Sequence, residues 1–180
     1  MFGFLAKKLV FSKAKAAVGL ECTRLCISGA APITVDTLNY FGSIGIHIVE
    51  VYGMSENAGP QTCGQNAYFR AGTCGRVIPG VEIKIDHEPS RDKPGEGEVC
   101  FRGRHIMMGY MHSPEKTAET IDADGWLHSG DVGKVDPTTK LLGITGRIKE
   151  LIITAGGENI APVPIEDRLK SLLPGRALRV

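Results

Sequence analysis

Apolar positions along this chain follow two patterns, and the change comes near residue 75. Before it, short apolar runs sit on either side of a helical segment. Leu25 to Ser28 reads as a short strand, closed by Gly29-Ala30-Ala31-Pro32. Thr34 can cap a helix through Ser43. Ile46 to Val51, rich in β-branched residues, is a second strand. A strand–helix–strand order predicts a parallel α/β sheet, with ligands beyond the carboxyl ends of its strands. Gln61 to Cys74 reads as a polar loop.

After Gly75 the period shortens to two. Val81 to Asp86 alternates apolar and charged residues. Glu98 to Arg102 does so again after the turn Pro94-Gly95-Glu96-Gly97, which predicts antiparallel strands. Arg91-Asp92-Lys93 reads as a solvated charge run between them. Ser113-Pro114-Glu115 has the order of a helix start, for a short helix carrying Thr117 to Ile121. Val135 and Leu141 flank a hairpin turn at Asp136 to Lys140. Leu151 to Ile153 reads as a buried strand ending before Gly156-Gly157. Ile165, Leu169, Leu172 and Leu173 form a helical stripe, stopped by Pro174-Gly175.

Composition adds limits. A chain of 180 residues can bury one sizeable core, so one domain or slightly more is expected. A formal net charge of +1 gives no reason to expect a nucleic-acid partner. The 23 glycines are dispersed, which signals many tight turns. Five cysteines, an odd number, fit no zinc spacing and read as free thiols of a reducing compartment. No stretch approaches the ~20 apolar residues of a membrane span. Lys7, Lys8, Lys13 and Lys15 near the N-terminus suit a transit peptide or a membrane-surface helix. The weak apolar face of Ala14, Ala16, Ala17 and Val18 favours an ordinary domain helix instead.

Several residues carry chemistry. Tyr52-Gly53-Met54-Ser55-Glu56 follows the second strand. Tyr52 offers a flat face for a base, Gly53 a tight backbone, and Ser55 a hydroxyl for a phosphate oxygen. Glu56 supplies the hard oxygen that Mg²⁺ prefers. Each alone is an ordinary loop residue. Asp131, between Gly130 and Val132-Gly133 at the start of a strand, can accept hydrogen bonds from a ribose diol or merely close its own turn. Trp126, the only tryptophan, reads as an anchor for a core or subdomain contact, and His128 points elsewhere. His105, in Gly103 to Tyr110, reads as structural. Small residues at Gly29-Ala30-Ala31 suit either a plain turn or a ligand lying along the backbone. Arg147 has a rigid five-donor fork that lysine lacks.

These motifs resemble one family. Gly146-Arg147-Ile148-Lys149 is similar to the hinge of adenylate-forming enzymes, the acyl-CoA synthetase superfamily. Tyr52-Gly53-Met54-Ser55-Glu56 resembles its Tyr-Gly-x-Thr-Glu motif, with Ser55 in place of Thr. Trp126-Leu127-His128-Ser129-Gly130-Asp131 resembles its Trp-x-x-Thr/Ser-Gly-Asp motif. Gly103 to Tyr110 and Gly156-Gly157-Glu158-Asn159-Ile160-Ala161-Pro162 look most like bubblegum-type long-chain acyl-CoA synthetases. The likeness runs from about Leu9 to Pro174.

The resemblance implies an α/β fold. Residues 1–148 would be the C-terminal part of the large AMP-binding N-terminal domain, with 1–75 its parallel α/β portion and 76–148 an antiparallel β subdomain. Residues 149–180 would be the hinge and the start of a small α+β C-terminal domain. It implies fatty acid activation with ATP, Mg²⁺ and CoA. In that role Gly29, Ala30 and Ala31 lie along the adenine, and Tyr52 and Gly53 line the nucleotide. Ser55 and Glu56 serve the phosphates and metal, Asp131 holds the ribose, and Arg147 lies on the ribose and phosphate. Lys149 is the pivot, and Gly156 and Gly157 line the CoA channel. An adenylating enzyme with another acceptor and a catalytically incomplete AMP-binding fragment stay open as alternatives. No phosphate-binding loop ending in Lys-Gly and no C-terminal lysine motif occurs in the 180 residues, so the isolated chain is expected to be inactive. The expected location is cytoplasmic, with peripheral association on intracellular membranes left open.

Overall fold

The computed structural model describes residues 7–153 and 159–173. Its first part is a mixed sheet. Strand β1 (Cys26–Ser28) pairs in parallel with β2 (Ile48–Met54), as the strand–helix–strand pattern predicts. The helix between them, Val35–Ser43, is capped by Thr34, whose hydroxyl accepts the Thr37 amide at 3.2 Å. It seals the sheet through Leu38, 2% exposed, and Val49 of β2 is fully buried.

Two expectations need correction here. Strand β2 runs on through Met54, so Tyr52 and Gly53 belong to the strand. The stretch expected to be a polar loop begins inside strand β3 (Gly59–Cys63), antiparallel to β2, with Gln61 and Thr62 buried in it. Gln61 is tolerated because its amide donates to the carbonyls of Asn57 at 2.6 Å and Gly59 at 2.9 Å. Alternation of apolar residues could not reveal a strand whose inward positions are polar. A two-residue strand β4 (Arg76–Val77) completes this sheet in the order β1-β2-β3-β4.

The second sheet is antiparallel, as the period of two predicts. Strands β5 (Glu82–Asp86), β6 (Gly97–Arg102), β7 (Leu127–Val135) and β8 (Leu142–Arg147) lie side by side in chain order. Val99 and Phe101 of β6 and Leu142 of β8 form its inner core. Tyr52 packs on this core from the first sheet, its ring 5.8 Å from that of Phe101. Backbone bonds from Cys74 to Leu142 and from Leu142 to Gly75, both 2.8 Å, tie the two sheets together. The expected hairpin joins β7 to β8. The Asp136 carboxylate accepts the Thr138 and Thr139 amides there, and Lys140 takes φ +60°.

On the outer face of this sheet Trp126 lies under two cations. The Arg102 guanidinium is 4.5 Å from its ring centre and the Lys84 ammonium 5.2 Å. It therefore covers a charged face and does not enter the core. The charge run is solvated only in part: Lys93 is exposed, whereas Asp92 has a side chain 1% exposed and binds Arg91 at 2.7 Å. The short helix Pro114–Thr120 forms with its proline in the first turn, although the Ser113 side chain makes no capping bond.

Beyond β8 a single 3₁₀ turn, Ile148–Glu150, leads to a two-stranded ribbon of β9 (Ile152–Ile153) and β10 (Asn159–Ile160). The last helix spans Pro162–Leu172. Ile152 is 55% exposed, so the strand expected to be buried presents this residue to solvent. Ile165, Leu172 and Leu173 of the helical stripe are also exposed. At the other end, a π-helical turn, Lys7–Phe11, runs into the helix Ser12–Ala17, which buries no residue. Among the described residues no helix is long and apolar enough to cross a membrane.

Candidate nucleotide site

Asp131 is the centre of the site. In β7 it lies inside a bulge: Glu98 pairs with Val132 and Cys100 with His128, so Ser129, Gly130 and Asp131 stand opposite Val99 alone. Gly130 takes φ +73°, a backbone that side chains resist. The bulge turns Asp131 inward, toward the core side of the sheet. It was expected at the start of a strand, and it sits in the middle of one.

Two partners meet its carboxylate. Tyr52 donates its hydroxyl to Oδ2 at 2.5 Å. Arg147, the cross-strand neighbour on β8, donates Nε–H to Oδ1 at 2.8 Å. Burial and then the adjacent carboxylate push the Tyr52 phenol well above its ordinary range, which keeps it a donor. Asp131 has a side chain only 10% exposed, whereas Arg147 remains 61% exposed and reaches solvent. A carboxylate oxygen has two lone pairs, so each can still accept a bond from a ligand hydroxyl.

Close packing shapes the end of β2. A β-bulge falls between Tyr52 and Gly53. A Cβ on Gly53 would lie 2.1 Å from the Gly59 carbonyl oxygen, so only glycine fits. The chain then makes a 3₁₀ turn, Ser55–Asn57, held by the Met54 amide donating to Asn57 Oδ1 at 2.9 Å. This turn leaves Ser55 exposed and Glu56 half-buried at the surface. Tyr110 donates its hydroxyl to Glu56 Oε1 at 2.9 Å, and the Met107 amide donates to the Glu56 carbonyl at 2.8 Å. The sequence motifs single out no role for Tyr110, and in Gly103 to Tyr110 only His105 is read, as structural. An aromatic closing that glycine-framed segment was the available signal.

Gly29, Ala30 and Ala31 follow β1 at the carboxyl end of the parallel pair, all exposed. Gly29 lies so close to β2 that a Cβ would meet Val51 Cγ2 at 2.8 Å, and Ala30 adopts φ +67°. Lys149 is exposed within the 3₁₀ turn, two residues past Arg147. Gly156 and Gly157 lie outside the described residues. The fold thus joins Tyr52, Asp131 and Arg147 directly, and it pairs Glu56 with Tyr110.

Glu56 fits a cation as a hard oxygen donor that forms no ion pair among the described residues. Another group, Asp86, Cys100 and His128, brings three ligand atoms within 4.8 Å of one another. That arrangement opposes a metal. Lys84 pairs with Asp86 at 3.4 Å, Glu98 holds His128 Nδ1 at 2.9 Å, and burial pushes the Cys100 thiol up to about 12.

The two sheets have the fold of adenylate-forming enzymes of known structure. MatB from Rhodopseudomonas palustris, solved with ATP bound, superposes with a TM-score of 0.73 at 33% identity, over 82% of this chain and 30% of MatB. O-succinylbenzoate coenzyme A synthetase (MenE) from Bacillus subtilis, in complex with ATP and magnesium ion, superposes with a TM-score of 0.72 at 26% identity, over 89% and 35% of the two chains. The AMP-binding enzyme family model matches residues 1–111, and the chain belongs to that family. Curated relatives include the long-chain-fatty-acid–CoA ligase ACSBG2 of Xenopus laevis, 54% identical over 94% of this chain, and ACSBG1 of Bos taurus, 45% identical over the same share. The chain spans 22% of the first and 23% of the second.

Proposed function

We propose that these residues hold the nucleotide in a long-chain fatty acid–CoA ligase. The observation that carries this is the Asp131 carboxylate, aimed by a bulge between Tyr52 and Arg147. Its identity to bubblegum-type ligases supports the acid and the acceptor.

In the reaction a fatty carboxylate oxygen attacks the α-phosphorus of ATP, and pyrophosphate leaves. The CoA thiol sulfur then attacks the acyl carbonyl of the adenylate, and AMP leaves. This chain contributes positioning and charge. Asp131 accepts the ribose hydroxyls, Arg147 adds a fixed positive fork beside them, and Gly29 to Ala31 lie along the base. Tyr52 packs on Phe101 and so fixes the floor of the site. Glu56, steadied by Tyr110, would hold Mg²⁺, with the Ser55 hydroxyl exposed beside it. The ion, when bound, neutralises phosphate charge.

Residues 1–148 then belong to the large domain, and 149–180 begin the small one. Lys149 is the pivot between the two half-reactions.

Two substitutions in the complete enzyme test the reading. Lys149→Pro fixes φ near −65° and restricts the residue before it. Acyl-adenylate formation, followed by pyrophosphate exchange, is expected to persist, while thioester formation falls by tenfold or more, roughly, as expected for a blocked conformational step. Equal loss of both would reduce Lys149 to a folding role. Glu56→Gln removes charge from the cation ligand. The Mg²⁺ concentration for half-maximal adenylation should rise, and an unchanged Mg²⁺ dependence would remove Glu56 from the metal site.

A further inference from the structure

The bulge that aims Asp131 is held from the opposite face of the sheet, by groups that touch no nucleotide-site residue with their side chains. Glu98 on β6 accepts the Gly130 amide on Oε1 at 2.8 Å. Its other oxygen, Oε2, binds His128 Nδ1 at 2.9 Å. The second nitrogen of His128 lies 3.5 Å from Asp122 Oδ2. Asp122 is itself fixed, because its Oδ1 accepts the amides of Trp126 at 2.8 Å and Asp124 at 3.0 Å. A chain of bonds therefore runs from the turn before β7, through an imidazole and a carboxylate, into the bulge. The Glu98 side chain is 13% exposed and that of His128 is 25% exposed, so water competes weakly for either.

Inside the bulge the next amide is also held. Asp131 N–H donates to Ser129 Oγ at 3.1 Å. Gly130, at φ +73°, has no side chain to lock its conformation. Without a partner its amide would sit opposite Val99 with no ladder position, since the register skips from Cys100↔His128 to Glu98↔Val132. An amide left unpaired in a half-buried strand rotates toward water. That rotation would carry the neighbouring Asp131 with it.

We propose that Glu98 and His128 are positioning residues for nucleotide binding: Glu98 pins the Gly130 amide, His128 orients Glu98, and together they set the direction of Asp131. This rests on the reading of Asp131 as the nucleotide's ribose contact. It adds two residues whose side chains lie on the far face of the sheet and act through a backbone amide.

The test is a double-mutant cycle in the complete enzyme, read as the AMP dissociation constant by calorimetry and as KM and kcat for ATP. All are measured well below the melting temperature of each variant. Glu98→Ala is expected to weaken AMP by about tenfold, the scale of one lost hydrogen bond to a charged group. ATP KM should rise with it, with kcat changed less. In the Asp131→Ala background, the same substitution should change AMP binding little, because its effect passes through Asp131. Glu98→Gln keeps an oxygen acceptor for Gly130 and should restore most of the affinity. His128→Ala should give a smaller loss than Glu98→Ala. If Asp131→Ala weakens AMP while Glu98→Ala lowers only the melting temperature, the positioning role is overturned and the ribose reading stands. Additive losses from Glu98→Ala and Asp131→Ala would overturn it as well. Should Asp131→Ala itself leave AMP binding unchanged, the ribose reading fails first and the positioning role with it.

Discussion

Replacement of Asp131 by Ala should cost on the order of 2–5 kcal/mol of nucleotide binding, about a 30-fold rise in the AMP dissociation constant or more. The size follows from burial. The carboxylate is 10% exposed and shielded from bulk water, so the ligand hydroxyls it accepts find no equivalent partner once it is gone. The substitution also removes the acceptor of the half-buried Tyr52 hydroxyl. Arg147 suffers less, because its 61% exposed side chain turns to solvent. Both half-reactions should slow, since on the proposed reading the same ribose is held in each. Asp131→Asn separates shape from charge, and should fall between wild type and alanine. Titration of AMP and ATP against the three proteins measures this. Wild-type affinity in Asp131→Ala would leave the residue as a turn-forming acid and nothing more.

The second large effect is on stability. Phe101 is fully buried between Val99 and Leu142, and Phe101→Ala should destabilise the fold by about 3–5 kcal/mol. Domains are commonly stable by only about 5–15 kcal/mol, so this is a large fraction of the whole. Urea unfolding should show the midpoint falling, and heating should show a melting temperature lower by roughly 10 °C. Nucleotide affinity should drop as well, because the Tyr52 ring rests on Phe101 and would lose its support. Met108, fully exposed, is the control, and Met108→Ala should stay within about 0.5 kcal/mol of wild type. Unfolding midpoints that match for the two variants would contradict the placement of the core.

Much of this site was legible in the sequence, for a physical reason. Asp131, Tyr52 and Glu56 lie in short contiguous motifs, because each serves through a local turn or bulge that needs its own glycine nearby. Arg147 was legible for the same reason, next to Gly146. Pairing between distant segments was not. That Tyr52 would bond Asp131, 79 residues away, depends on one sheet packing against the other. The role of Tyr110 depends on the loop after β6 returning to Glu56, 54 residues back. Strand β3 was missed because a side-chain amide, and no apolar residue, fills its inward position at Gln61. Asp92 misled in the opposite sense: a charge run suggests solvent, yet one intramotif ion pair buried it.

The register of β7 with β8 has a mechanical consequence. Arg147 is the last residue of β8, locked opposite Asp131 by the sheet, and Lys149 comes only two residues later. Two residues reach about 7 Å at most. On the proposed reading of Lys149 as the pivot, a swing would have a short arm on the ribose side and a long one on the other. Distant groups would sweep far, while Arg147 would barely shift. On that reading the sugar would stay gripped through the whole excursion, so a reactive mixed anhydride, once made, would wait in place for the arriving thiol without being set down and exposed to hydrolysis.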